Sequence, residues 1–128
     1  MSFENIKIIG VDESKTYRSD FEKLLYHVYF KLSVRPKGKW VQIFQEEHRF
    51  PRHSMWRHAW IAGQCIVVHC PLDEVKDNLR DIKQDVANTN QKYREYLRKY
   101  AIEQEKYQQR KKKEREEINK AVDELDFG

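Results

Sequence analysis

A chain of 128 residues and 15.7 kDa has room for one small domain, with or without an appendage. Charged residues make up 36% of it and mean hydropathy is -0.96, yet aromatics reach 12%, too many for a chain that stays unfolded. No apolar run approaches the ~20 residues of a bilayer span. These features exclude a disordered chain, a collagen, a multidomain enzyme and a membrane-spanning protein. The formal net charge is +4 and the pI about 9.0. Residues 1–70 carry 11 Lys and Arg against 7 Asp and Glu, whereas residues 71–128 carry 14 against 14, so the basic excess lies in the first part.

In chain order, Ile6 to Val11 alternates weakly as a short strand, and Asp12 to Glu22 is polar and reads as a loop. From Leu24 to Val34 the alternation is stronger. Tyr26, Val28, Phe30, Leu32 and Val34 share one face, with His27, Tyr29, Lys31 and Ser33 on the other, which predicts a half-buried strand. Arg35-Pro36-Lys37-Gly38 breaks it. Trp40, Ile43, Phe44 and Glu47 follow helical spacing and predict a short amphipathic helix over Lys39–His48. Met55–Ile61 and Cys65–Cys70 read as a hairpin turning at Ala62-Gly63-Gln64, and Pro71 precedes a helix.

From Leu72 to Phe127 there is neither Gly nor Pro. Apolar residues recur at Leu72, Val75, Leu79, Ile82 and Val86, then every seven residues at Tyr93, Tyr100 and Tyr107. Gln108–Glu117 has none, and Ile118, Ala121, Val122 and Leu125 read as a separate stripe in another phase. The segment is one long helix or, if Asn88-Thr89-Asn90 caps a second helix, a helical hairpin. The fold class is therefore α+β: a small, mostly antiparallel sheet of about four strands, one short helix and a long C-terminal helix of coiled-coil character. The domains are 1–71 and 72–128.

Three constellations carry the functional reading. Arg35, Lys37, Lys39, Arg49, Arg52 and Arg57 interleave with Trp40, Phe44, Phe50, Trp56 and Trp60, a composition that suits stacked bases and phosphates or a protein partner, or simply rims a core. The run Arg110, Lys111, Lys112, Lys113, Glu114, Arg115 lies in a stretch, Lys92–Arg115, with ten basic and four acidic residues. Residues 116–128 carry one basic and five acidic residues, so the helix alternates in sign and suits pairing with a copy of itself. Asp73, Asp77, Asp81 and Asp85 stand at i,i+4 steps, a line rather than the convergent oxygens a divalent cation needs.

Cys65 and Cys70 are five apart on one strand and point to opposite faces, so they form no disulfide. Neither zinc-ligand spacing nor a nucleotide-binding glycine loop is present, and no metal, cofactor or catalytic set is expected. The opening five residues lack a signal-peptide pattern, and a reducing cytoplasm is the expected setting.

These readings give an interaction or adaptor protein without enzymatic activity, a homo-oligomer or a partner of another protein, with no membrane association. Its seam is Leu79, Ile82, Val86, Tyr93, Tyr96, Tyr100 and Tyr107. The alternative is a nucleic-acid-binding protein contacting its ligand through Arg52, Trp56, Arg57, Arg110, Lys111, Lys112, Lys113 and Arg115. A hydrolase built on Cys65 and His69 is the third class.

Overall fold

The structure, a computed structural model, describes residues 3–128. Among these are five strands, β1 (Ile8–Val11), β2 (Tyr17–Arg18), β3 (Tyr26–Leu32), β4 (Ala59–Ala62) and β5 (Cys65–Cys70). A short helix α1 (Gly38–His48) and a 49-residue helix α2 (Val75–Asp123), entered through a 3-10 turn at Leu72–Glu74, complete the α+β architecture. The sheet is antiparallel throughout, in the order β1-β3-β5-β4, with β2 pairing the start of β3. Helix α1 connects β3 to β4 across the intervening β5, and β4 turns into β5 at Gly63-Gln64. Gly63, at φ 59°, takes the left-handed position that such a tight turn needs.

The β3 register follows the alternation in its sequence. Val28, Phe30 and Leu32 are buried on one face, opposite Val68 and Ile66 of β5. Trp40, Ile43, Phe44 and His48 of α1 and Ile82, Val86 and Tyr93 of α2 complete this core. The rings of Trp40, Phe44 and His48 stack in a ladder, with centroids 5.8 and 5.9 Å apart. Each fully buried large apolar side chain contributes about 1.5–3 kcal/mol. The other sheet face keeps His27, Tyr29, Trp60 and His69 partly exposed.

Three expectations change. The loop over Asp12–Glu22 contains β2, a two-residue strand with too few residues to show a period. The hairpin's first strand begins at Ala59 rather than Met55, because the Trp56 indole N–H is bonded to the His48 carbonyl. The helical hairpin does not form, since α2 runs unbroken through Asn88-Thr89-Asn90. The Thr89 hydroxyl donates to the Asp85 carbonyl at 2.6 Å. The Asn90 amide accepts from the Ile6 N–H and the Trp40 indole N–H, at 3.1 and 3.0 Å, and donates to the Ile6 carbonyl at 2.8 Å. Asn90 thus acts as a neighbouring strand would, pairing with Ile6 through a side chain.

These contacts also move the domain boundary. Residues up to Arg94 form one compact unit, and Glu95–Gly128 a second, because the first five turns of α2 supply core to the sheet.

Candidate functional site

The basic and aromatic segment and the second half of the aspartate line, which look independent in sequence, are partners: Asp81 and Asp85 meet it, whereas Asp77 pairs with Arg80 of its own helix. Asp85 is fully buried and accepts from His48 Nδ1 at 2.8 Å and from Arg52 at 2.7 Å. Nε2 of His48 faces the Arg57 carbonyl at 2.8 Å. Both ring nitrogens thus lie within hydrogen-bond distance of an oxygen. His53 pairs with Asp81 at 2.8 Å, and Arg57 grips Glu74 with two hydrogen bonds of 3.0 and 2.9 Å. That fork holds the Glu74 carboxyl below the usual carboxylate range. Trp56 lies against His48 with centroids 4.8 Å apart, and Arg52 lies 4.6 Å over its ring. Arg52, Trp56 and Arg57, three of the candidate nucleic-acid contacts, are therefore engaged inside the molecule. The regular i,i+4 spacing of the aspartates was the available signal, since such a row needs cations opposite it.

On the open sheet face, His27 stacks on His69 and on Tyr17, each with centroids 4.6 Å apart, and meets Trp60 edge-on. Burial, aided by the neighbouring His69, holds the His27 imidazole below its ordinary value. Cys65 and His69 lie four residues apart along one strand, about 13 Å, beyond the reach of a nucleophile and its base. Burial pushes the Cys70 thiol up to about 11, away from thiolate chemistry, and both cysteines are free. Among the described residues, no three His, Cys, Asp or Glu side chains cluster as metal ligands.

The proposed helix seam divides. Ile82, Val86 and Tyr93 are buried in the compact unit, where Tyr93 meets Phe3 edge-on at 4.8 Å, and Leu79 is half-buried. These residues face the chain's own core and present no partner surface. Tyr96 is half-buried, its ring 6.1 Å from that of Tyr100. From Arg98 onward every residue is exposed.

On this exposed stretch, Tyr100, Tyr107, Ile118 and Leu125 have relative exposures of 51, 44, 44 and 58%. Their spacings are seven, eleven and seven residues. Seven residues fall about 20° short of two turns and eighteen close five turns, so an unbroken helix keeps Tyr100, Tyr107 and Ile118 within about 20° of one line. Leu125 follows in the closing turn, its N–H bonded to the Val122 carbonyl. The second apolar cluster therefore resumes the first one's phase, contrary to the sequence reading. In the gap, Lys111 lies over the Tyr107 ring at 5.7 Å and pairs with Glu114 at 3.8 Å. By contrast, Arg110, Lys111, Lys112, Lys113 and Arg115 are distributed around the whole circumference, as consecutive helical residues must be. Compared with known protein families, with curated proteins and with solved structures, the chain matches none.

Proposed function

We propose that the chain is a non-enzymatic interaction protein in which the exposed part of α2 receives a partner helix along one face. The observation that carries this reading is the apolar line through Tyr100, Tyr107 and Ile118, left in water, with exposed Leu125 just past the end of α2. A helix that is polar on most of its remaining surface, Ile102 apart, gains little by itself from such residues, whereas a facing helix can bury them. The acidic end adds to this. A helix's own dipole favours cations at its C-terminus, yet Asp123, Glu124 and Asp126 stand there, so this charge layout serves something other than the lone helix.

The nucleic-acid alternative is weaker on the same geometry. Arg52 and Arg57 are paired internally, and a phosphate backbone lying along one side of α2 meets a minority of the basic run. A photoreactive residue at position 107 or 118, compared with one at 106 or 113 on the far side, tests the proposal. Cross-linked products confined to 107 and 118 support it, and equal yields from both sides overturn it.

A further inference from the structure

Building on that reading, we infer that the partner helix is α2 of a second copy, lying antiparallel in one defined register. The argument starts from the charged pair in the gap of the apolar line. Lys111 and Glu114 both lie within about 40° of that line, so any helix seated on it meets them. A lysine and a glutamate in a seam are tolerated where the facing helix supplies their opposites, and they then fix the register.

Laying two copies antiparallel, with the two-fold axis between Lys112 and Lys113, matches apolar and charged residues at once. Tyr100 then faces Leu125 of the second copy, Tyr107 faces Ile118, and Lys111 faces Glu114, each contact occurring twice. Lys112 and Lys113, nearest the axis in sequence, lie more than about 100° around the helix from the line and point away from the seam. Arg110, on one flank, comes opposite Glu117 and Glu114 of the second copy. A parallel pair in register sets Lys111 against Lys111 and Glu114 against Glu114, so the charges select the antiparallel sense.

Sedimentation equilibrium of the full chain and its variants tests this. The wild type is expected to dimerise. Lys111→Glu and Glu114→Lys each set like charges opposite one another twice and are expected to weaken the dimer about 30-fold. The double variant K111E/E114K restores it, and an equimolar mixture of the two single variants dimerises. Under mild oxidation, Tyr107→Cys mixed with Ile118→Cys gives a disulfide-linked dimer, whereas either alone does not. The native Cys65 and Cys70 are buried and stay out of the reaction.

A wild type that stays monomeric at the highest attainable concentration overturns the second copy as partner but leaves the line to a different helix. A dimer that ignores the charge swaps, or that links position 107 to 107, overturns the register. A dimer unaffected by Tyr107→Glu and Ile118→Glu overturns the underlying reading of the helix face itself.

Discussion

At the scale of single residues, Asp85 and Asn90 hold the compact unit together through buried polar contacts beside its apolar core. Removing the carboxylate in Asp85→Ala strips His48 Nδ1 and one Arg52 nitrogen of their acceptor. Because the Arg52 side chain is 37% exposed and keeps the Asp81 carbonyl, the cost falls toward the low end of the about 3–5 kcal/mol of a broken buried pair. Asn90→Ala abandons the Trp40 indole N–H and both backbone groups of Ile6. At about 1–3 kcal/mol for each buried group left unsatisfied, a total loss of about 3 kcal/mol or more is expected. Urea denaturation followed by tryptophan fluorescence measures both.

His27 adds a pH dependence of known sign. Its folded imidazole, half-buried against His69, titrates below the ordinary value of 6.5, so on acidification the unfolded chain takes up a proton that the folded one resists. Its contribution is intact above pH 6.5 and is lost progressively as pH falls below that value and through the lower folded one. The urea midpoint of the wild type should therefore fall below pH 6.5 more steeply than that of His27→Gln. Equal slopes would remove His27 from the account.

At the scale of elements, α2 is one helix with one structural task and, as proposed, a second in association. As far as Tyr93 it is a layer of the core, and beyond Arg98 it lies in water. Proline within the second stretch separates the tasks. Gln108→Pro breaks the helix locally, at about 3 kcal/mol in a helix interior, and is expected to abolish association while leaving the thermal unfolding of the compact unit unchanged. Circular dichroism and sedimentation of that variant check the two halves of the statement.

Most elements were legible because their periods are strong. The alternation of β3, the helical spacing of Trp40, Ile43, Phe44 and Glu47, and the absence of Gly and Pro from residue 72 to 127 each specify one local structure. What sequence could not show was which partner each face had. The aspartate row and the Arg52–Arg57 segment were visible separately, but their meeting depends on a fold that brings residues 28 to 37 positions apart into contact. The continuity of the apolar line failed for another reason: a heptad count loses phase across the ten-residue gap, whereas the 3.6-residue turn of an unbroken helix recovers it.

At the scale of the whole molecule, stability and the proposed recognition fall to different units. The unit up to Arg94 contains the sheet, both polar clusters and the buried half of α2, and the unit from Glu95 contains the apolar line and the alternating charge blocks. Substitutions in one are expected to act on folding and in the other on association.

The uninterrupted backbone of α2 has a consequence for amide hydrogen exchange. A residue near Val86 releases its amide proton only when the compact unit opens, whereas one near Gln108 needs no more than local fraying. A single hydrogen-bonded ladder should therefore show two rates, with the change falling between Tyr93 and Arg98. The slow half should be indifferent to protein concentration. The fast half should slow as concentration rises, to the extent that a second helix covers it.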